Sequence, residues 1–477
     1  MSCSLSLFFF FFPLLLLLST TTNLSHANDT QPQARPYSHD NDNDNINNNM
    51  LPQSEAETLF SIMETMSSDQ TWRTSYPHPC LPDSSWPGIE CKPGTDNLLH
   101  VSRLDFGNPP YPTCKNSATF PSLIFSLPYL RSVFFFNCFT LTKTNLSIIS
   151  SSFSSSIQQL SFRSNPALTG PIPPEISNLK SLKILTLSQN RLSGPIPEEI
   201  FYLSSLVHLD LSYNLLTGGV SDQLGYLKNL VGLDLSYNML RNSIPNTIGQ
   251  LGLLQKLDLS SNLLTGGIPD SIGKLSSLVF LALSNNQLSG RFPQGIENLQ
   301  SLQYIIMDQN PMSITLPLEL GKLVRLQELR LADSGYSGTI PENFSQLKNL
   351  TTLSLQNNHL TGEIPESFGG LPHIYHLNLS WNLLAGIVPF NASFLNRLGR
   401  NLDLSGNPGL CLSSSEAYNV KIGVSVCGRN GSGSDLHQPL MSSRASSPPG
   451  LVSHHQHQLV LVSSLGVLVL HQMMFLV

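Results

Sequence analysis

The chain has 477 residues, of which 40% are hydrophobic and only 12% charged, so it can bury a large core and wholesale disorder is excluded. Its 25 Lys and Arg against 31 Asp and Glu leave a formal charge of −6, which argues against the broad basic surface of a nucleic-acid-binding protein. Residues 1–27 and 459–477 contain no Lys, Arg, Asp or Glu, and both ends are interpreted as targeting segments.

The N-terminus predicts a signal peptide over residues 1–27. Residues 5–18 are phenylalanine and leucine interrupted by one serine and one proline, which is too short and too broken for a membrane span. Ser25 and Ala27 supply the small residues expected before a cleavage site. Residues 28–52 are rich in Asn and Asp and are interpreted as a disordered leader.

Six cysteines remain after removal of the signal peptide, and this even number suits an oxidising compartment. Many pairings are open to six cysteines, but four lie early and two late, and this clustering favours neighbours. The favoured pairs are Cys80 with Cys91, Cys114 with Cys138, and Cys411 with Cys427. A zinc site is the alternative, disfavoured because no tight C-x-x-C spacing occurs. Glycosylation sequons agree with export and stand at Asn28, Asn145, Asn343, Asn349, Asn378, Asn391 and Asn430.

A repeat of about 24 residues fills the middle of the chain. One asparagine marks each unit, at Asn165, Asn190, Asn214, Asn238, Asn262, Asn286, Asn310, Asn358, Asn382 and Asn407, with Ser334 in the vacant slot. Apolar residues stand eight, five and three positions before it, which predicts a short strand with inward leucines. Since no unit can bury its leucines alone, stacked units must form a solenoid, with the asparagine amide pairing buried backbone groups. Two fainter units, beginning near Val101 and Leu130, bring the total to thirteen turns.

A proline stands seven residues after the asparagine in most units, and a glycine often stands four after it. The resulting string, Leu192-Ser-Gly-Pro-Ile-Pro197, closely resembles the extracellular plant-type leucine-rich repeat. This resemblance covers roughly residues 53–430. It implies an α/β solenoid, namely a superhelix with a parallel concave β-sheet, convex-side β-structure and terminal caps stapled by disulfides.

The family resemblance extends to both caps. A helix over Ser54–Met66, with a capping box of Ser54 and Glu57 and an apolar stripe, is expected to begin the N-terminal cap, residues 53–100. Trp86-Pro-Gly-Ile-Glu-Cys91 matches the W-x-G-x-x-C motif of that cap. The repeats then occupy residues 101–410. Asn407-Pro-Gly-Leu-Cys411 resembles the opening of a C-terminal cysteine cap over residues 411–430.

The C-terminal end predicts attachment to a membrane. Residues 431–458 are interpreted as a flexible spacer, and the apolar residues 459–477 as an anchor or anchor signal. Small residues at Ala445 and Ser446, followed by a polar stretch, favour a glycolipid-anchor signal, and a membrane helix or simple secretion remain alternatives. A signal peptide, a repeat ectodomain, a short anchor and no kinase resemble the plant receptor-like proteins, nearest to the too-many-mouths-like group.

No catalytic motif stands out from the repeats, and we expect neither an enzyme nor a cofactor or metal site. The concave face is therefore the expected binding surface. The column four residues before the asparagine reads Ser161, Thr186, Asp210, Asp234, Asp258, Ala282, Ile306, Arg330, Ser354 and Asn378. Its three aspartates would suit a basic ligand, but the family's common L-D-L-S strand already places Asp there, and the structural interpretation is favoured.

The regular pattern breaks between residues 280 and 333, where one unit loses its glycine, its asparagine and a leucine. The concave residues of this stretch, called the irregular patch below, are Phe280, Tyr304, Ile306, Asp308, Gln309, Glu328, Arg330 and Asp333. Exposed aromatics beside an arginine and carboxylates are typical of binding hot spots. A second candidate patch comprises Tyr375, His376 and Trp381, which a glycan on Asn378 would obstruct.

The resemblance implies a cell-surface receptor-like protein on the extracellular side of the plasma membrane. It would bind an extracellular peptide or a partner ectodomain, attach to the membrane through its C-terminal tail and signal through a partner receptor kinase. The alternative is a secreted or wall-associated inhibitor of wall-degrading enzymes, which uses a similar repeat scaffold.

Overall fold

One short strand from each repeat pairs with the strand of the next to build the main sheet. The computed structural model describes residues 50–81, 86–148, 156–415 and 422–428. The chain divides into two units after Cys427, and every helix and strand of the described residues belongs to the first unit. In order, the strands of the main sheet are Ile89–Pro93, Leu99–Phe106, Ser132–Phe136, Gln159–Arg163, Ile184–Thr186, His208–Asp210, Gly232–Asp234, Lys256–Asp258, Phe280–Ala282, Tyr304–Ile306, Glu328–Arg330, Thr352–Ser354, His376–Asn378 and Leu402–Asp403.

Ile89–Pro93 runs antiparallel to Leu99–Phe106, and from there onward the thirteen strands of the described residues are parallel. Leu185, Leu209 and Leu233 are directly paired across neighbouring strands and are buried. Alternate residues of a strand point to opposite faces, so the leucines face the core and their neighbours face solvent. The predicted solenoid with a parallel concave sheet is confirmed.

The repeat asparagines form the predicted ladder between turns. Asn238 Oδ1 accepts a hydrogen bond from the Leu216 amide at 3.0 Å, and its Nδ2 donates to the carbonyls of Leu211 at 3.0 Å and Leu235 at 3.1 Å. Both Leu211 and Leu216 belong to the preceding turn, so the amide joins two neighbouring turns through buried backbone groups. Ser334 is shorter, and its hydroxyl donates to the Ala332 carbonyl at 2.8 Å while accepting from the Asn310 amide at 3.2 Å.

A second set of strands follows the asparagines and forms three small parallel sheets within the described residues. These are Thr144–Asn145, Leu168–Gly170, Arg191–Pro195 and Leu215–Thr217; then Thr265–Gly266 and Gln287–Leu288; and then Ser337–Thr339, His359–Gly362, Leu383–Ile387, Gly409–Leu412 and Ser425–Val426. The last two sheets are separated at the turn where Ile314 replaces glycine. Gly290 and Gly338 adopt φ of +84° and +76°, which isoleucine disfavours, and Ser313 takes the positive φ instead.

The strands of this second set are called lateral strands. Short 3-10 helices follow most of them and return the chain to the next strand of the main sheet. The described ones are Ser122–Ser126, Pro174–Asn178, Glu198–Tyr202, Asp222–Tyr226, Asn246–Gln250, Asp270–Lys274, Ile296–Asn298, Leu318–Lys322, Glu342–Gln346, Glu366–Gly370 and Gly399–Asn401. A buried apolar residue in the middle of most of them, such as Ile248 or Ile272, packs into the core. The tight 3-10 turn suits this role because each repeat leaves room for only about one turn of helix.

Helix α1 (Gln53–Met66) begins the N-terminal cap and buries Leu59, Phe60 and Met63, as its apolar stripe predicts. The expected capping box is wrong, because the helix begins one residue earlier, after Pro52, and no side chain caps it. Glu57 pairs instead with Arg73 of the short helix α2 (Trp72–Ser75) at 2.6 Å.

Disulfides close both ends of the solenoid. The structure joins Cys80 to Cys91, Cys114 to Cys138 and Cys411 to Cys427. These six cysteines are therefore paired, which leaves none of them as a thiolate for the zinc alternative. Trp86 of the W-x-G-x-x-C motif is buried against Trp72, with ring centroids 5.2 Å apart. Near the other end, Asn391 caps the N-terminus of helix α3 (Ala392–Leu398), because its side chain accepts a hydrogen bond from the Phe394 amide.

A buried histidine ties helix α1 to the main sheet. His100 Nδ1 lies 2.7 Å from Glu55 Oε2, and its Nε2 lies 3.0 Å from Asp96 Oδ1. Glu55 Oε1 also accepts from the Val101 amide at 2.9 Å, and the His100 ring stacks on Tyr129. Burial would lower the pKa of His100, but the two carboxylates outweigh it and raise that pKa above its ordinary value.

Candidate functional site

The solvent-facing columns of the main sheet are in the register that the repeat predicts. Asp210, Asp234, Asp258, Ala282 and Ile306 are direct neighbours on successive strands. Residues on one face of neighbouring strands lie about 5 Å apart. The concave face is therefore a continuous surface on which residues separated by a whole repeat in sequence are adjacent.

An ion-pair network organises the irregular patch. Arg330 Nε donates to Asp308 Oδ2 at 2.9 Å, and Arg330 Nη1 lies 3.7 Å from Glu328 Oε1. The other Asp308 oxygen accepts from the Ala332 amide at 2.8 Å. Burial raises the pKa of Asp308, and the Arg330 charge opposes that rise only in part. Burial likewise raises the pKa of Glu328. Arg330 is thus held in place by carboxylates from its own strand and the neighbouring turn.

Tyr304 belongs to a short polar chain beside this network. Its hydroxyl donates to Gln327 Oε1 at 3.1 Å, and Gln327 Nε2 donates to Gln303 Oε1 at 3.1 Å. Burial, followed by the charge of Glu328, raises the pKa of Tyr304. The phenol therefore remains a neutral hydrogen-bonding group at the centre of the irregular patch.

Exposure differs from the prediction at two positions of the irregular patch. Phe280 is only 6% exposed, because the Lys256 ammonium lies 5.9 Å from its ring centroid and the Tyr304 ring contacts it from the next turn. Asp308 is 8% exposed beneath Arg330. Both residues support their neighbours and do not themselves offer a free surface. The open residues are Gln309 and Asp333, with Tyr304, Ile306, Glu328 and Arg330 half-buried.

The aspartate column carries out the structural role expected of it. Asp210 Oδ1 accepts from the Ser212 amide and hydroxyl, and Asp234 Oδ1 accepts from the same groups of Ser236. Asp234 Oδ2 also pairs with Lys256 Nζ at 2.8 Å. One oxygen of each carboxylate thus holds the turn after its strand, while the second faces the concave surface.

Two exposed tyrosines beside this column were not singled out from the sequence. Tyr213 and Tyr237 immediately precede the repeat asparagines, and their rings are stacked with centroids 4.1 Å apart and planes 9° apart. Burial, followed by Tyr237 and then by the Asp234 and Asp258 charges, raises the pKa of Tyr213. Their identical repeat position, 24 residues apart, was the signal that could have revealed the stack.

The second candidate patch presents two large exposed rings. Tyr375 is 67% exposed and Trp381 is 65% exposed, whereas His376 is half-buried and has a pKa lowered mainly by burial. Asn378 lies on the same strand as His376, and its Oδ1 accepts from the Ser380 amide at 3.1 Å and hydroxyl at 2.7 Å. Asn378 therefore takes the structural place that aspartate has in other turns.

Several predictions fall outside the described residues. They are the signal peptide at residues 1–27, most of the leader, Asn28, Asn430, the anchor residues Ala445 and Ser446, and the spacer and tail at residues 431–477. Within the described ranges, none of the helices has the length and apolarity needed to span a membrane.

Sequence models of the leucine-rich repeat match this chain at residues 181–203, 205–227, 221–332 and 324–384. "Receptor like protein 29" of Arabidopsis thaliana is 68% identical over 142 residues, which are 30% of this chain and 31% of that protein. "Protein TOO MANY MOUTHS" of the same plant is 37% identical over 27% of this chain and 26% of that protein. The aligned segments thus span about a third or less of either relative.

Among solved structures, the ectodomain of the Arabidopsis thaliana membrane receptor kinase GASSHO1/SCHENGEN3, in complex with CASPARIAN STRIP INTEGRITY FACTOR 2, is 31% identical with a TM-score of 0.53. The match covers 65% of this chain and 38% of that one. The fold is thus that of a leucine-rich-repeat ectodomain. Within that class, the chain is similar to plant leucine-rich-repeat receptor-like proteins over the matched segments.

Proposed function

We propose that this protein acts at the cell surface, where its concave face binds an extracellular peptide or a partner ectodomain and signalling passes through a partner receptor kinase. The irregular patch carries the proposal. There Arg330 is fixed by Asp308 and Glu328 next to the half-buried Tyr304, so a charged and aromatic surface is organised before any ligand arrives.

The distribution of sequons supports the use of this face. Asn145 lies on a lateral strand, Asn343 on a 3-10 helix, Asn349 just after that helix, and Asn391 at the start of helix α3. Asn378 is the one described sequon on the main sheet, three turns from Tyr304. Glycans at the first four positions would leave the irregular patch open.

The named relatives point to the same class of function. One carries the name of a receptor-like protein, and the solved ectodomain belongs to a membrane receptor kinase in complex with another factor. An ectodomain attached to a membrane raises the local concentration of its ligand near any partner on that membrane. A receptor-like chain can act through a kinase partner in this way.

The test uses variants that spare the ion-pair network. Arg330→Glu is unsuitable, because it would set three carboxylates against one another. Tyr304→Ala changes the half-buried centre of the irregular patch, and Asp333→Arg changes its exposed edge. We expect each to weaken binding to a partner ectodomain at least about tenfold, measured by surface plasmon resonance on a panel of receptor-kinase ectodomains and extracellular peptides.

Arg325→Glu is the control, since Arg325 is exposed just outside the main-sheet strand Glu328–Arg330. It should leave affinity unchanged, and all three variants should remain folded at the temperature of the binding assay. Wild-type affinity in both patch variants, or an equal loss in the control, would overturn the assignment of this patch.

A further inference from the structure

The stacked pair of Tyr213 and Tyr237 presents an aromatic surface that nothing in the described chain covers. The two residues are 46% and 47% exposed, although their rings are only 4.1 Å apart. Exposed rings held in a fixed, parallel arrangement offer a large contact area at little cost in conformational entropy. They belong to different turns from the irregular patch and form a separate feature of the concave face.

The neighbouring carboxylates are not fully compensated. Asp234 pairs with Lys256 at 2.8 Å and Asp210 lies 3.8 Å from Arg163, whereas Asp258 forms no ion pair with any described residue. Burial, followed by the Asp234 charge, raises the pKa of Asp258 to about 6, so the carboxylate is mostly ionised at pH 7. Three carboxylates thus face two cations in this part of the sheet, and burial, followed by the Asp234 charge, raises the pKa of Asp210 as well.

Histidine does not supply the missing positive charge. His208 lies on the same face, but burial and then the Lys256 charge lower its pKa. It is therefore neutral at pH 7, and the excess of one negative charge persists.

The turn after the next strand has a polar group without a partner. In earlier turns the serine hydroxyl donates to the aspartate two residues before it, as Ser212 does to Asp210 at 2.6 Å. Ala282 replaces that aspartate beside Asp258, and Ser284, only 7% exposed, has a hydroxyl with no hydrogen-bond partner. A buried hydroxyl without a hydrogen-bond partner destabilises the fold, and a ligand group that pairs with it would remove this cost.

We propose that the surface formed by Tyr213, Tyr237, Asp258 and Ser284, called the tyrosine–aspartate surface, binds arginine side chains of an extracellular peptide or partner. A guanidinium ion stacks on tyrosine rings, donates to a carboxylate and has further N–H groups for a hydroxyl. The excess negative charge selects a basic occupant. The identity of the natural ligand rests on the proposed function, whereas the chemistry of the surface does not.

A probe peptide tests the surface directly. An acetylated and amidated decapeptide of alternating arginine and glycine is titrated into the full extracellular chain by calorimetry. We expect saturable binding, and at least about tenfold weaker binding of the analogue with citrulline in place of arginine, because citrulline keeps the shape and loses the charge. Tyr237→Ala and Asp258→Asn should each weaken arginine-peptide binding at least about threefold.

The chain supplies matched controls. Tyr202 and Tyr226 form a second exposed stack on the 3-10 helices, away from the main sheet, so Tyr202→Ala should leave the affinity unchanged. Asp258→Asn should fold normally, because Asn378 already accepts from the Ser380 amide as Asp258 does from Ser260.

Three results would overturn the proposal: no binding of the arginine peptide, equal binding of the citrulline peptide, or an equal effect of Tyr202→Ala. The proposal would also be overturned if the ectodomain self-associates and Asp258→Asn abolishes that self-association, because the surface would then bind a second copy of the chain. The probe peptide does not depend on the natural ligand. If the arginine peptide does not bind, while partner binding is intact and still depends on Asp333, only this inference is rejected.

Discussion

Removal of one repeat asparagine tests how the turns are held together. Asn238→Ala deletes the acceptor of the Leu216 amide and the donor to the Leu211 carbonyl. Leu211 and Leu216 have no exposed surface, so water cannot easily replace the lost side chain. Each buried backbone group left without a partner costs about 1–3 kcal/mol. With two such groups, we therefore expect a loss of about 2–6 kcal/mol in the free energy of unfolding.

The loss should be visible locally as well as globally. Urea denaturation followed by circular dichroism gives the change in stability, and hydrogen exchange measured by mass spectrometry follows the Leu216 amide itself. In the variant this amide should exchange faster than in the wild type, because its acceptor is gone. Asn238→Ser should fall between the two, as serine already serves at position 334 with shorter reach.

An asparagine outside the ladder provides the control. Asn229 Nδ2 donates to the Ser204 carbonyl at 2.9 Å in an exposed position, and Asn229→Ala should cost no more than about 0.5 kcal/mol. If Asn238→Ala costs no more than this, or if the Leu216 amide stays protected, the ladder does not contribute what its geometry implies.

Three further outcomes follow from named contacts. Tyr336→Phe should raise the free energy of unfolding by about 1 kcal/mol, because the Tyr336 hydroxyl is buried without a partner; an unchanged urea midpoint would contradict this. Asn378→Asp should keep the melting temperature within about 2 °C, since aspartate accepts the same two Ser380 bonds, and mass spectrometry would register the loss of any glycan there. His100→Gln should destabilise by about 1–2 kcal/mol below pH 6.5, where protonated His100 is favoured by folding. That deficit should shrink as pH rises through the raised pKa of folded His100, and a deficit that grows with pH would refute the assignment.

The repeat made the fold predictable because one periodic rule sets both burial and register. Leucines at fixed distances before each asparagine determine which residues are inside, and the common period aligns the strands. The same rule placed Asp210, Asp234 and Asp258 in one column.

Exposure on the concave face was less predictable, because it depends on residues one turn away. Phe280 follows the rule for a solvent-facing position, yet Lys256 and Tyr304 of the adjacent turns cover it. Such contacts depend on side-chain length and charge, which the period does not encode. The helix starts at Gln53, one residue before the expected start, with Pro52 in the N-cap position and no side-chain cap.

The pairing of Glu55 with His100 was not predicted either. The two residues are 45 positions apart, outside the repeat period, and only the folded cap brings them together. A periodic sequence thus reveals the repeating part of a solenoid more readily than its ends.

The Asn238 contacts reach 22 and 27 residues back along the chain, and this spacing makes the solenoid modular in length. Duplication of one complete repeat between the turns of Tyr237 and Tyr304 would give every new asparagine partners of the usual kind. It would also move Tyr237 about 4.8 Å further from Tyr304, because each added repeat contributes one strand spacing. The number of repeats between these two tyrosines thus sets the length of an extended ligand that can contact both at once.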